Sequence, residues 1–576
     1  MGIMRRTTRP AVAASTAAAL LIPLAGCQSA GGPGSAVTLT ADVPYVMPNL
    51  DDSAGRCPSL GEDGARLTDD ALAACHDAAD EEVNGALDAL DLAPLRIGAL
   101  PGLGEGAYGT VRVDPASAPY TRLFVREGTA YTVLPAEERL SAAQLRDGVE
   151  LALEATDLVR DPAVWDGGIE VSLTVVDGGR TERAHAALRA APLILTHDLL
   201  PIDRMVMSDN GTTPEDAERH GYDPESPAAP VEDGEEVFRE ELSAALEAAG
   251  LNGHLLEYPT GGDRWMRDQF ITGYFAVPDP DGEVRRMNVL LRSADVMPEG
   301  STADFPLRDA GRSAYTVLGG PGTAVIQEYD AGRVGDDERS QLWGSFSSTG
   351  NFLVTPPDAG TPAGRVLYGS DGGDAAPDAD FLRLLEAQRE QRPLAVDTSW
   401  LGVGHIDEFL SFVPADTARG WAALVADPER GLELTGSEDP EVLAGTRIAA
   451  RGIEAALDLF EDELGLTDED IVRVPALFER LVIPGYPRQN VVANALPAVA
   501  NGVQTGAGTF LAPEPHDAAV KAETEAAFAA AGAGDVAWVE EWDYAHAVGT
   551  VGGEIHCVTN ALRDTTGAGP WWSEEE

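Results

Sequence analysis

From residue 191 onward, short apolar runs alternate with helix-length amphipathic stretches, and this alternation restricts the fold more than any other feature of the 576-residue chain. Residues 193–196, 288–291, 324–326 and 410–413 read as strands. Residues 235–249, with Gly250 as a stop, and residues 379–389, 452–464 and 516–531 read as helices. An α/β unit over 191–576 follows. Upstream the period changes to two. Ile169-Glu170-Val171-Ser172-Leu173-Thr174-Val175 alternates apolar with polar, and Asp177-Gly178-Gly179 reads as its turn. Residues 123–125 and 130–133 are further strands, whereas 69–90 and 141–155 read as helical. A β-sandwich-like domain over 51–190 is the expectation. No fixed-period repeat is visible, and residues 207–234, rich in Asp, Glu, Pro and Gly, read as an insertion.

The first residues read as an export signal. Arg5, Arg6 and Arg9 precede an Ala-rich apolar run over 11–25 that ends in Leu24-Ala25-Gly26-Cys27. Small residues before a cysteine resemble a bacterial lipobox. That resemblance implies cleavage after residue 26, lipidation of Cys27 and a tether over 27–50, of which 28–36 is flexible. The chain would then be exported and held at the outer face of the membrane by lipid alone. Acidic residues number 96 against 40 basic, a net charge of −56. Nucleic acid is excluded as the main partner, because phosphate binding needs a basic footprint. The same field attracts cations.

Four cysteines are present. In an oxidising compartment Cys57 and Cys75 are expected to pair, which the chain-entropy account values at about 3 kcal/mol. Cys557 is then left over, either as an apolar filler or as a reactive thiol.

Three segments decide between those two. They are Asp263-Arg264-Trp265-Met266-Arg267-Asp268, Val403-Gly404-His405-Ile406-Asp407-Glu408-Phe409, and Gly552-Gly553-Glu554-Ile555-His556-Cys557 with Val558-Thr559-Asn560 following. Together they hold carboxylates, an imidazole, a thiol and a large ring. A guanidinium is planar and always charged, so two carboxylates grip its edges by paired charge-assisted hydrogen bonds. A thiolate over its central carbon attacks, and a histidine protonates the departing nitrogen and then activates water. Trp265 would stack on the cation or its stem. In extended chain, His405 and Asp407 share one face. Each segment alone is weak; the combination raises the odds.

The strings Trp265 to Asp268, Gly350-Asn351 before Pro356-Pro357, Val403 to Pro414, Glu463-Leu464-Gly465-Leu466, Gly553 to Cys557 and Trp571-Trp572 resemble the catalytic domain of the protein-arginine deiminases. Residues 157–167 are similar to that family's middle, immunoglobulin-like domain. The resemblance implies an α/β propeller of ββαβ modules over 191–576. It implies Cys557 as nucleophile, Asp268 and Asp407 as guanidinium holders, His405 as acid and base, and Trp265 and Val403 as channel lining. The implied reaction converts peptidyl-arginine and water to peptidyl-citrulline and ammonia, with arginine-bearing peptides or proteins as partners.

Two departures stand out. The animal deiminases need calcium, whereas the positions flanking Asp268 here are Arg267, Gln269 and Ile271, poor in oxygen donors for a hard cation. Calcium-independent activity without a metal or other cofactor is therefore expected. Arg292 matches one of the family's arginines near the substrate backbone, and its second falls near Ala294. Competing readings are a hydrolase of a small guanidine (free arginine, agmatine or methylarginine) and a non-catalytic arginine-binding lipoprotein.

Overall fold

The computed structural model describes residues 37–209, 233–296, 302–335, 345–373, 375–482, 490–506, 508–548 and 552–572. The expected leader 1–26, Cys27, residues 28–36 of the tether and 210–232 of the insertion lie outside them.

Two five-stranded sheets come first. One runs in the order Leu39–Ala41, Ala93–Ile97, Val149–Ala155, Thr121–Glu127, Ala130–Val133. The other runs Tyr45–Val46, Arg180–Ala190, Gly168–Asp177, Tyr108–Val113, Leu140–Ser141. The alternation in Gly168–Asp177 explains its placement: Ile169, Val171, Leu173 and Val175 are buried, while Glu170, Ser172 and Thr174 are not. Leu95, Leu123 and Leu151 from one sheet meet Val111, Leu173 and Leu188 from the other in one core. Burying each such side chain contributes about 1.5–3 kcal/mol.

Three expectations need correction here. Residues 37–50 are not a tether, because they are largely buried and give each sheet a strand. Residues 141–155 are helical only over Ala142–Asp147. Gly148 then turns to φ +88°, and Val149–Ala155 becomes a strand buried at six of its seven positions. That burial overrides the helix propensity of its Glu, Leu and Ala residues. Residues 69–90 are broken into the short helix Asp69–Ala73, the single turn Asp77–Ala79 and the start of the short helix Asp88–Asp91. Between these helices Cys75 is disulfide-bonded to Cys57, and the Asp77 carboxylate accepts from Ser53 N and Arg56.

Beyond residue 190 one strand wiring recurs. Phe352–Val354 pairs antiparallel with Val366–Ser370, and the helix Ala379–Gln388 returns the chain so that Leu394–Asp397 lies parallel to the second strand. Leu410–Pro414, Trp421–Asp427 and Ile471–Pro475 repeat this with the helices Pro428–Thr435 and Pro440–Leu464. Val503–Gln504, Thr509–Pro513 and Asp535–Val539 do so with Ala518–Ala531. Phe270–Pro278, Val284–Arg292 and Thr323–Ile326 pair the same way, with Ile194–Leu195 added at the edge. The last strand, Thr559–Arg563, pairs antiparallel with Ile202–Asp209, which carries Leu255–Pro259 parallel after the helix Asp233–Ala248. Parallel neighbours require such crossovers. Asp378, Asp439 and Asp517 cap the starts of three of these helices. Among the described residues no helix is long and apolar enough to cross a membrane.

A short helical turn precedes one strand in each of these five sheets: Met266–Asp268, Thr349–Asn351, Ile406–Glu408, Val499–Asn501 and Ile555–Val558; a sixth sheet is the two-stranded pair Phe478–Arg480 and Val492–Asn494. Each turn packs on the next, and the last packs on the first.

Candidate active site

Buried asparagines hold these turns in place. Asn560 Nδ2 donates to the carbonyls of Met266 and Phe270 at 3.2 and 2.7 Å. Asn351 Oδ1 accepts from Gly369 N and Ile406 N at 2.9 and 3.2 Å. Asn501 Nδ2 donates to the Asp407 carbonyl at 3.0 Å. Glu408 Oε1 accepts from Gly404 N and His405 N, both at 2.9 Å, which fixes the chain entering the third turn. A buried amide that closes several backbone groups at once is costly to displace.

The turns bring Asp268, His405, Asp407 and Cys557 together. His405 Nε2 lies 2.7 Å from the Ser345 carbonyl oxygen, which only accepts, so this nitrogen carries a proton. Nδ1 therefore faces inward, 3.9 Å from Asp268 Oδ1 and 4.0 Å from Asp407 Oδ1. Asp407 Oδ2 accepts from His556 Nδ1 at 2.7 Å and lies 3.7 Å from Cys557 Sγ. Its Oδ1 is buried and has no hydrogen-bond partner among the described residues. Burial alone would raise the Asp407 pKa, but the hydrogen bond from His556 and the nearby His556, His405 and Arg267 side chains hold it below the usual range. Burial, then the charges of Asp407 and Asp268, push the Cys557 thiol well above its ordinary value. The resting thiol is protonated, and a cation among these carboxylates would lower its pKa. Burial also pushes Glu554, three residues before the thiol, up to about 8.

Space in the cluster is set by glycines. A Cβ on Gly350 would stand 2.5 Å from Asp268 Oδ1 and 3.1 Å from His405 Nδ1. A Cβ on Gly553 would stand 2.5 Å from the Trp265 ring and 3.2 Å from Cys557 Sγ. Trp265 thus lies beside the thiol, half-buried. Val403 is half-buried too, and its carbonyl accepts from Ser345 Oγ at 3.1 Å.

Arg292 is not brought to this cluster. It is 1% exposed and lies 3.1 Å from Asp69 Oδ1, donating also to Gln327 Oε1 and the Arg308 carbonyl. The sequence position suggested a substrate contact, but a buried guanidinium requires a counter-charge, and Asp69 supplies it from the segment closed by the disulfide.

The side chains flanking Asp268 are themselves engaged. Arg267 donates to the Phe352 carbonyl and Asn560 Oδ1 at 3.1 and 3.3 Å. Gln269 is engaged with Ser313 and Met266, and Ile271 lies in the apolar core.

Two residues were missed in the sequence. His556 was visible beside Cys557, but its grip on Asp407 depends on the fold. Arg308 binds Asp268 from 40 residues away, and no motif marks it.

A family profile described as protein-arginine deiminase (PAD) matches residues 181–448 and 438–573. The chain belongs to that family. Protein-arginine deiminase type-4 of Rattus norvegicus is 28% identical over 268 residues, covering 40% of this chain and 36% of that protein. Type-1 of Homo sapiens is 30% identical over 251 residues, covering 38% and 34%. The matched stretch thus spans about a third of the length of these relatives. Among solved structures, a putative arginine deiminase from Porphyromonas gingivalis aligns at TM-score 0.38 and 14% identity, covering 64% of this chain and 98% of that one. The agmatine deiminase of C. jejuni aligns at TM-score 0.34 and 11% identity, covering 65% and 97%. A likeness of this degree assigns neither fold nor substrate.

Proposed function

We propose that this chain is a hydrolytic deiminase of guanidinium groups that converts arginine side chains of peptides or proteins to citrulline. The observation that carries the reading is the unsatisfied Asp407 Oδ1, set with Asp268, His405 and a protonated Cys557 thiol around one point. A guanidinium there would give Asp407 its missing donors and offset the charges that keep the thiol from ionising.

In this mechanism His405 Nδ1 takes the Cys557 proton as the substrate's charge arrives. Sγ attacks the guanidinium carbon, the C–N bond to a terminal nitrogen breaks, and His405 returns the proton to the departing ammonia. The amidino-thioether keeps the positive charge. His405 then draws a proton from water, the oxygen attacks, and the C–S bond breaks. The thiolate recovers its proton, the ureido product is neutral, and one proton goes to the ammonia.

The five sheets would be the blades of an α/β propeller centred on the turns, a reading supported by their mutual packing and by the pairing of the last strand with Ile202–Asp209. The two-sheet region would be an immunoglobulin-like domain. The domain limits are 37–190 and 191–576, behind an export leader over 1–26 whose removal would leave Cys27 as the lipid-anchored first residue. The Cys57–Cys75 disulfide supports an oxidising compartment. The mass of the N-terminal peptide from membranes tests the anchor: an unmodified residue 27 refutes it.

Catalysis is proposed to be calcium-independent, given how Arg267, Gln269 and Ile271 are engaged. Elsewhere, Asp51, Asp77, Asp88, Asp91 and Glu154 are buried in the N-terminal part around Asn49. The calcium test therefore reads turnover and melting temperature separately.

A second reading, hydrolysis of a small guanidine, gains support from Arg292. Its burial removes the one candidate for gripping peptide backbone. Citrulline and ammonia release from a blocked arginine peptide and from free arginine, with chelator and then calcium, separates the readings. Turnover of the peptide with chelator supports the proposal. Turnover of free arginine alone supports the second reading, and a large gain on adding calcium refutes calcium independence.

A further inference from the structure

We propose that Arg308 is a positioning residue of this site. It shares one guanidinium among Asp263, Asp268 and Asp295, and so fixes the carboxylate that receives the substrate and limits the negative field on Cys557. The inference rests on the deiminase reading of Asp268.

Arg308 Nε and Nη2 donate to Asp263 Oδ2 and Oδ1 at 2.6 and 2.8 Å. Its Nη1 donates to Asp268 Oδ2 at 2.9 Å and lies 3.5 Å from Asp295 Oδ2. All four side chains are at most 20% exposed, so water screens this cluster little. Burial works against the Arg308 charge, but Asp263, Asp268 and Asp295 outweigh it and keep the guanidinium fully charged. Among the described residues, Arg308 is the cation that hydrogen-bonds Asp268.

Arg308 is itself anchored. Its N donates to the Asp295 carbonyl at 2.9 Å, and its carbonyl accepts from buried Arg292 at 3.2 Å. Asp295 Oδ2 also accepts from Ser348 Oγ at 2.8 Å, next to the turn that carries Gly350. Asp263 Oδ1 accepts from Trp265 N at 3.1 Å, so the same network holds the backbone of the aromatic residue beside the thiol.

Two consequences follow. With Oδ2 held on a planar fork, the Asp268 carboxylate cannot rotate freely, and Oδ1 stays turned toward His405. Without Arg308, Asp263 and Asp268 would lose the guanidinium they share, while Asp295 would keep Arg333 and Ser348 beside it. The thiol, already opposed by Asp268, would ionise less readily, while a cationic substrate would still be attracted. Loss of Arg308 therefore lowers kcat more than it raises KM, a split that general loosening of the fold would not give.

The test compares full-length parent protein with Arg308→Gln, Arg308→Lys and Asp263→Asn, each checked by thermal unfolding. One readout is kcat and KM on a blocked arginine peptide. The other is the rate of iodoacetamide alkylation across pH, followed by mass spectrometry on the peptide containing Cys557, which needs no turnover. Arg308→Gln is expected to lower kcat by about tenfold or more, with KM changed less than about threefold. Its alkylation rate should fall by about threefold at each pH below the thiol pKa, the effect of about half a pKa unit. Arg308→Lys, which keeps the charge but loses the fork, should restore alkylation while kcat stays low. Parent-like kcat and alkylation in Arg308→Gln would overturn the proposal; if that variant does not fold, parent-like values in both Arg308→Lys and Asp263→Asn would do so. A parent that turns over no arginine substrate fails the deiminase reading instead. The alkylation series then still decides whether Arg308 governs the thiol, and unchanged rates overturn it.

Discussion

Gly350→Ala is a one-carbon test of the site. Gly350 does not have a positive φ, so an alanine there meets no backbone strain, and its effect is one of contact. The added Cβ would stand 2.5 Å from Asp268 Oδ1 and 3.1 Å from His405 Nδ1. Ordinary carbon–oxygen contact needs about 3.4 Å or more, so Asp268 must move by most of an ångström. The carboxylate is not free to do so, because Arg308 holds its other oxygen at 2.9 Å. Overpacking of this kind costs about 1–3 kcal/mol of stability. Activity should suffer more, because a displacement near 1 Å at a reacting centre costs about 100-fold. The assay pairs a thermal melt with citrulline release under saturating substrate. A modest fall in melting temperature with kcat down about 100-fold is expected. Parent-like kcat in a folded Gly350→Ala protein would refute the claim that Asp268 and His405 act from the positions described.

Other outcomes can be checked independently. Asp69→Ala strands Arg292 and Arg312, which are 1% and 0% exposed beside it, and should destabilise the protein by about 3–5 kcal/mol in denaturant unfolding. Burial raises Asp51 to about 6, Glu154 to about 7 and Asp91 to about 8, so the folded chain holds protons that the unfolded chain releases near pH 4. Stability should therefore fall as pH rises from about 4 to 8, and Asp91→Asn should flatten the upper part of that slope in pH-dependent melts. Cys557 in the substrate-free protein should react slowly with iodoacetamide at neutral pH and about tenfold faster per pH unit above it; a fully ionised thiol at pH 7 would contradict the burial and carboxylate argument.

The alternation of strands and helices after residue 190 was legible because each strand is apolar and each helix amphipathic. The recurring wiring was not legible from periodicity, and only the family resemblance implied ββαβ modules. The helical turns begin at residues 266, 349, 406, 499 and 555, spacings too uneven for a period, because the crossovers range from short turns to the 25-residue helix Pro440–Leu464. Strand Val149–Ala155 was hidden because Glu, Leu and Ala favour a helix until two-sided burial decides. In the candidate site, His405, Asp407 and Cys557 stand in dense motifs. Arg308 could not be read, since an arginine's partners depend on which distant carboxylates the fold brings to it. The pairing of Arg292 could not be read for the same reason: its partner Asp69 lies in another part of the chain.

The central claim is that Cys557 forms a covalent bond to the guanidinium carbon of an arginine substrate. Acid quenching during turnover, followed by mass spectrometry of the peptide that contains Cys557, tests it most directly. The account predicts a gain equal to the substrate's mass less ammonia, absent in Cys557→Ser, which should release no citrulline. Sustained turnover with that peptide unmodified, and with Cys557→Ser still active, would contradict it.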